Sequence, residues 1–423
     1  MVLHVFAAHL HPKTPPMKTK ILLIISIFSC ALLQAQTYGC TDPQSVSYNP
    51  QATHNDGSCL YEELTLSPTS STVLPTSVIE SSGMIIWNDK LITHNDSADS
   101  KLYELDSLSG ALIQTYTLPT LNTDWEEISQ DEEYIYVGDF GNNAHGNRAN
   151  LHIIRITKES LLAGSPVVDT INFTYQDQIS LASVPNNTTN FDCEAFIVKD
   201  GFIYLFTKQW SAQSTSVYKL SIEPGNHVAE LLLNYPINGM VTGATYNIEK
   251  NILALTGYNN TLSPFIMLLS DFEGDSFFSG NKRRVNIPLQ LHQIEAITSS
   301  DGLHYYLTNE RLVQLPYFNI PAKLHKFDLS NYVVDASALG VFEDEITSGI
   351  QVVDNTSSQM LEFKCMEDHI GNSYQIIDSA GKVFHKGIIS KTQTEIYSQE
   401  MAAGVYSLVT GSRKKEVLRF LKQ

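Results

Sequence analysis

Basic residues are scarce: 27 Lys and Arg stand against 45 Asp and Glu over 423 residues, a formal net charge of −18. A nucleic-acid partner needs a basic footprint on the protein, so this balance argues against one and suits cations instead. Charged residues make up only 17% of the chain, which excludes a disordered acidic tail or a coiled coil. Long Ala/Leu/Glu/Lys stretches are missing. After the N-terminus no run reaches the ~18 apolar residues of a membrane-spanning helix. There is no HExxH, no GxSxG elbow, no P-loop and no zinc spacing. What is present is 20 Tyr, 18 Phe, frequent Gly and Pro, and 43% apolar residues. That composition leans all-β. The length allows two or three domains at roughly 150 residues each.

The first 35 residues read as an export signal. Lys18 and Lys20 precede the apolar run Ile21 to Phe28, and small residues follow up to Ala35. Met17 is an alternative start. Phe28 is bulky where a lipoprotein site at Cys30 would want a small residue. The mature chain is expected to be secreted or held at the cell surface. In residues 36–62, Cys40 and Cys59 bracket a turn-rich module too small to hold its shape unaided. An exported chain keeps disulfides, so a Cys40–Cys59 bridge is predicted. Asp42, Asn49, Asn55 and Asp56 offer oxygen to a minor Ca²⁺ site, against the plainer reading of solvated turn residues, since EF-hand spacing is absent. The module resembles a short cysteine-bracketed segment common in secreted proteins of Bacteroidetes-type bacteria. Cys193 and Cys365 are expected as buried free thiols.

Residues 70–330 carry one pattern five times. An inner strand begins at Ser82, Glu126, Glu194, Thr242 and Glu295. A turn follows, then a second strand (Leu91-Ile92-Thr93, Tyr134 to Val137, Phe202 to Phe206, Ile252 to Leu255, His304 to Leu307), a polar loop and a third strand. A fourth strand precedes each next repeat. A strand of that kind, Val73-Leu74-Pro75, also stands before the first repeat, where it is positioned to complete the last one and join the chain ends. The expectation is an all-β, five-bladed β-propeller. A degenerate sixth blade within 157–190 is the alternative.

The inner strands of a propeller face its axis. Ser82 to Asn95 and Glu126 to Asp139 are both 13 residues apart, and Glu194 to Lys208 and Glu295 to Asn309 both 14. Ser82, Glu126, Glu194, Thr242 and Glu295 should therefore form one axial ring. Three carboxylates in a narrow tunnel repel one another, and a Ca²⁺ ion with its 6–8 oxygen ligands would relieve that. The plainer reading is three surface glutamates that only look periodic. The stretches Ser82-Gly-Met-Ile-Ile-Trp-Asn-Asp-Lys-Leu-Ile-Thr-His-Asn-Asp96 and Glu126-Glu-Ile-Ser-Gln-Asp-Glu-Glu-Tyr-Ile-Tyr-Val-Gly138 resemble the first two blades of the calcium-activated nucleotidases, or soluble apyrases. The resemblance implies Ca²⁺ in the central tunnel, on a ring reading Ser, Glu, Glu, Ser, Glu. Thr242 stands for one Ser here, and Lys208 where the family carries arginine, without the planar fork that clamps phosphate.

The rim supplies candidate chemistry. Asp96, Asp139, Lys208 and Arg311 are the weak catalytic candidates. Asn95, Asn142, Asn143 and Trp210 are the ligand-binding candidates, with Arg148 on the same rim. Turn formation at strand ends is the competing explanation for Asp96, Asp139 and the Asn pair, and blade packing for Trp125 and Trp210. His94 reads as a packed rim histidine. Asp124 and Asp192, each two residues before a ring glutamate, could add a second layer of carboxylates.

Past a linker at 331–349, residues 350–423 read as a small C-terminal β-sandwich of hairpins. Tyr374-Gln-Ile-Ile-Asp-Ser-Ala-Gly381, Ala403-Gly-Val-Tyr-Ser-Leu-Val409 and the Lys-rich end Lys414 to Lys422 resemble the C-terminal sorting domain of the type IX secretion system. That resemblance implies the type IX secretion machinery as a partner. Two functional readings follow. One is a Ca²⁺-centred hydrolase of a small phosphorylated or anionic substrate. The other is a non-catalytic propeller binding an unknown small ligand, a glycan or a partner, with Ca²⁺ as a pin.

Overall fold

The structure, a computed structural model, describes residues 36–97, 99–333, 350–355, 360–365, 369–378, 382–398, 401, 404–410 and 416–422. The expected export signal, most of the linker, the stretch Ser379 to Gly381 and the pair Lys414-Lys415 lie outside the described residues. Strands dominate, and among the described residues no helix is long and apolar enough to cross a membrane.

Five antiparallel four-stranded units follow one another through residues 70–328, each beginning with an inner strand. The inner strands are Ser81–Trp87, Trp125–Gln130, Cys193–Lys199, Met240–Asn247 and Ile294–Thr298. Each neighbours the next in cyclic order, the last lying against the first. The fifth unit takes its outer strand from the start of the chain: Ser70–Val73 pairs antiparallel with Lys323–Asp328, Val73 opposite Lys323. The two ends of the array thus share one sheet, as expected of a β-propeller. The second and third units merge into one eight-stranded sheet because the long strand Gly225–Tyr235 also pairs, in parallel, with Val168–Tyr175. Residues 157–190, where a sixth repeat could hide, hold the short helix Lys158–Leu162, that same outer strand and the loop after it.

The alternation of side chains explains the closure. Along a strand, successive residues face opposite sides, and here both sides are apolar. Ile135 and Val137 pack with the first unit's Ile85, Ile92 and Leu102, whereas Tyr136 between them packs with the third unit's Phe196, Ile203 and Leu205. Tyr204 and Phe206 face the fourth unit through Leu253 and Leu255, and Ala254 faces the fifth through Ile297 and Leu307. Leu91 and Tyr103 meet Ala296 and Leu324 to seal the first unit against the fifth. Each sheet is sandwiched between two others, so none keeps a solvated face. The inner hairpins turn on residues that accept positive φ: Asn88 (50°) with Asp89 (60°), and Asp200 (52°) with Gly201 (77°), as two-residue turns between right-twisted strands require.

The cysteine-bracketed module is docked on the fourth unit. Cys40 and Cys59 are joined by a disulfide. The exit strand Leu64–Thr65 adds in parallel to Asn281–Asn286 as a fifth strand. The Asn55 side-chain amide donates to Asp271 at 2.7 Å and Asn281 at 2.8 Å, and the Lys282 ammonium donates to the Gly57 carbonyl at 2.9 Å. The module's oxygen bearers are used in local turns. Asp42, Asn49, Asn55 and Asp56 each accept the backbone N–H two residues on, as turn-forming side chains do. Cys193 is buried as expected, but Cys365 is only half-buried.

Beyond the linker lie two antiparallel sheets. One comprises Ile350–Asn355, Met360–Cys365 and Gln393–Tyr397. The other comprises Ser373–Asp378, Val383–Ile388, Gly404–Thr410 and Glu416–Lys422. Leu361, Phe363 and Ile396 of the first share an apolar cluster with Tyr374, Ile376, Tyr406 and Leu408 of the second.

Candidate functional site

Every inner strand carries a β-bulge at the same level. Pairing with the second strand skips Glu126, Glu194, Thr242 and Glu295 in the later four units. A bulged residue leaves the ladder, and its side chain is re-aimed. In the first unit the skipped residue is Gly83, while Ser82 pairs with His94. The first repeat is thus one residue out of step with the ring drawn from spacing. Gly83 has φ +69°, and a Cβ there would lie 2.6 Å from the Ile128 nitrogen, so only glycine fits this bulge.

The five ring positions are all buried, but they divide by role. The Ser82 hydroxyl donates to the Glu126 carbonyl at 2.6 Å, and the Thr242 hydroxyl donates to the Ile294 carbonyl. Both hydroxyls stitch one inner strand to the next. The three glutamates converge electrostatically. Burial pushes Glu126 well above the usual carboxylate range, and Glu194, Asp96, Asp124 and Asp192 push it further. Glu194 rises to about 7 through burial, held back by Lys208.

Lys208 is the cation inside this group. It is 3% exposed, and its ammonium donates to Glu194 Oε2 at 3.0 Å. The same nitrogen sits 4.4 Å from the centre of the Trp210 ring and 5.3 Å from that of Tyr258. Burial works against its charge, but Glu194, Glu295, Tyr258 and Asp192 together outweigh that and raise it well above the ordinary lysine value. Tyr258 donates to Glu295 Oε1 at 3.0 Å, while Glu295 Oε2 meets no hydrogen-bond partner although the residue is 4% exposed.

A second group lies beside it. Asp96, Asp124 and Glu126 each bring a carboxylate oxygen within 4.8 Å of the other two. Burial raises Asp96 to about 8, with Asp124, Glu80 and Glu295 adding to the effect. Asp96 Oδ1 has no hydrogen-bond partner. Arg148 offers partial relief: one guanidinium nitrogen stands 3.8 Å from Asp124. Gly141 is pressed onto the group, since a Cβ there would lie 2.1 Å from Glu126 Oε1 and 2.4 Å from Asp124 Oδ2. Oxygen-only donors, one of them (Asp96 Oδ1) buried and unpartnered, fit a hard cation such as Ca²⁺. Buried carboxylates without a counter-charge are costly.

The remaining candidates are held mainly by partners of their own. Asp139 is fully buried, bound to Arg148 at 2.6 Å and to the Thr123 N–H at 3.0 Å. The Asn95 amide donates to the Ser77 carbonyl and accepts from the Glu80 N–H, so it holds the lead-in to the first strand. Asn142 likewise braces its loop, donating from its side chain to the Phe191 carbonyl and from its backbone to Asp192. Asn143 is half-buried, and its carbonyl takes the Asn187 N–H. Trp210 donates to Asp192 at 2.7 Å. Arg311 is exposed on the rim. Trp125 is fully buried against His94, ring centres 5.7 Å apart, and burial lowers His94 to about 4.

Two carboxylates at the axis escaped the sequence reading. Glu310 follows the second strand of the fifth unit and is raised by burial and by Glu295 and Asp96. Glu127, next to Glu126, is wholly buried. Its carboxylate accepts the Ile128 N–H at 3.0 Å and the Ala244 N–H, from an inner strand two units away, at 2.8 Å. Past it, toward the opposite end of the inner strands, is a cavity of about 330 Å³ lined by residues such as Ile86, Gln130, Val198, Tyr246 and Ser300. The adjacent Glu-Glu pair was the available signal. Without the bulge, strand alternation alone does not say which glutamate meets the other carboxylates.

No protein-family model and no curated protein matches this sequence. Among solved structures it is similar to PorZ, an essential bacterial surface component of the type IX secretion system of Porphyromonas gingivalis, at 10% identity over 81% of this chain and 44% of that one, TM-score 0.29. This chain therefore spans less than half the length of PorZ. It is also similar to the WD40 repeats of RRP9, at 9% identity over 62% and 99% of the two chains, TM-score 0.35. Hydrazine synthase of Kuenenia stuttgartiensis is similar at 9% identity over 80% and 78%, TM-score 0.31. These likenesses are remote, and the propeller rests on the strand topology and the closed ring of apolar clusters.

Proposed function

We propose that this protein is a five-bladed β-propeller of the cell exterior that binds Ca²⁺ at the acidic end of its inner strands and works as a binding module rather than a phosphate-releasing enzyme. The observation that carries the calcium reading is the meeting of Asp96, Asp124 and Glu126 oxygens within 4.8 Å, beside the buried, unpartnered Glu295 Oε2. Calcium takes such oxygen donors without a fixed geometry. Phosphate chemistry needs cations held free for the substrate, and of the three on this rim Lys208 and Arg148 are engaged while Arg311 is exposed. Lys208 is spent on Glu194, and Arg148 on Asp139 and the Gly141 carbonyl.

The loops on this same face expose apolar side chains: Leu121 is 81% exposed, Ile179 97%, Leu315 75% and Tyr317 80%. That supports a macromolecular or glycan partner over a small anion. The residues after the linker are read as a type IX sorting sandwich, on their two sheets and the Gly404–Thr410 strand that carries the Gly-Val-Tyr element. The test is direct. The chelator-treated chain is titrated with CaCl₂ and its melting followed, and phosphate release from nucleoside diphosphates is measured with Ca²⁺ present. A calcium-dependent rise in melting temperature without phosphate release is expected. Release abolished by Glu126→Gln would replace the binding module with the hydrolase.

A further inference from the structure

We propose that Lys208 is a tethered cation filling the Glu194–Glu295 half of the axial ring, so that the chain takes its divalent ion off the axis, between Asp96, Asp124 and Glu126. This rests on the calcium reading for the ion, but the role of Lys208 stands on its own geometry. The Lys208 ammonium is bonded to Glu194 at 3.0 Å and flanked by the rings of Trp210 and Tyr258 at 4.4 and 5.3 Å. Both flanking residues are themselves tied to carboxylates of this centre, Trp210 to Asp192 and Tyr258 to Glu295. The lysine backbone N–H is anchored on the Asp192 carbonyl at 2.7 Å. A compact ammonium so enclosed occupies space and charge that an axial divalent ion would need.

The hydroxyls that would complete an axial site already make bonds of their own. Ser82 and Thr242 donate to backbone carbonyls of the neighbouring strands. Two carboxylate oxygens remain unsatisfied: Asp96 Oδ1 in the off-axis group and Glu295 Oε2, on a ring residue only 4% exposed. One positive group therefore decides both the number and the place of bound ions.

The test is calorimetric titration of the chelator-treated full chain with CaCl₂, for wild type, Lys208→Met, Lys208→Gln, Asp96→Asn and the Asp96→Asn/Lys208→Met double variant, each checked by circular dichroism. Wild type should bind one ion, and Asp96→Asn should lose it. Lys208→Met should gain a second ion or tighten binding by at least about tenfold, since ligand charge sets calcium affinity. The double variant should keep the new axial ion. If a Lys208 variant folds only when calcium is added, the ion is replacing the ammonium, which also supports the proposal. Folded Lys208→Met with wild-type stoichiometry and affinity would overturn it, as would both Lys208 variants failing to fold with calcium present. Binding by Lys208→Met but not by wild type would uphold the tethered cation while removing the calcium reading of the native chain.

Discussion

Glu126 and Glu127 are neighbours on one strand with separate fates. The bulge sends Glu126 into the acidic group, whereas Glu127 reaches the backbone of an inner strand two units away. Removing the Glu127 carboxylate leaves the Ile128 and Ala244 N–H groups short of an acceptor and opens a void. Glu127→Ala should destabilise the chain by about 3 kcal/mol or more; a urea midpoint within error of wild type would refute the clasp. His325 gives a pH test. Its two ring nitrogens sit 2.8 Å from Ser71 Oγ and 2.9 Å from Asn309 Oδ1. Burial, with His292 and Lys323 nearby, pushes it from 6.5 down to about 3. A lowered folded value means that stability is complete above pH 6.5 and is lost as pH falls toward 3. His94, lowered to about 4, adds to the same slope. The advantage in melting temperature of wild type over His325→Asn should therefore shrink between about pH 6.5 and 4, against the opposite slope that the raised axial carboxylates give both proteins. Equal slopes in both proteins would remove His325 as the cause.

At the scale of the strand, the recurring bulge is the working part. It takes one residue per inner strand out of the ladder and gives the axis its side chains. The five inner strands were legible because short β-rich runs recur with Asn, Asp and Gly turns between them. The bulge was not legible, since skipping a partner leaves no mark in hydrophobic alternation, and this put the first repeat one residue off. Gly83→Ala forces a side chain into φ +69° and against the Ile128 nitrogen at 2.6 Å. A loss of about 2 kcal/mol or more is expected in chemical denaturation. Wild-type stability would show that the strand slides to accommodate the methyl. The closing strand was readable for a different reason: an outer strand with no unit of its own must pair at the far end of the array.

The whole molecule carries a formal net charge of −18, and buried carboxylates of the first, second, third and fifth units gather at one end of the inner strands. Calcium that binds only the folded state should stabilise it by about 2.7 kcal/mol at a concentration about 100 times Kd. Glu126→Gln should lose most of that gain while melting normally in chelator. An equal calcium response in Glu126→Gln would count against the site. The cysteine module belongs to this scale as well. Its Asn and Asp residues looked like free oxygen donors in sequence, yet each is used in a local turn, and Asn55 also reaches across to Asp271 and Asn281.

Local chemistry sufficed for the strands, their turns, the repeat and the pairing of the two chain ends, because alternation and turn residues act over a few positions. The choice between Glu126 and Glu127, the inward fold of Lys208 onto Glu194 and the gathering of Asp96 with Asp124 belong to the closed ring alone. Asp96 and Asp124 come from adjacent repeats, and Lys208, which meets Glu194 within one repeat, meets Tyr258 of the next only in the ring. Only when every sheet is packed between two others do their charges come close enough, out of water, to compel one another's positions.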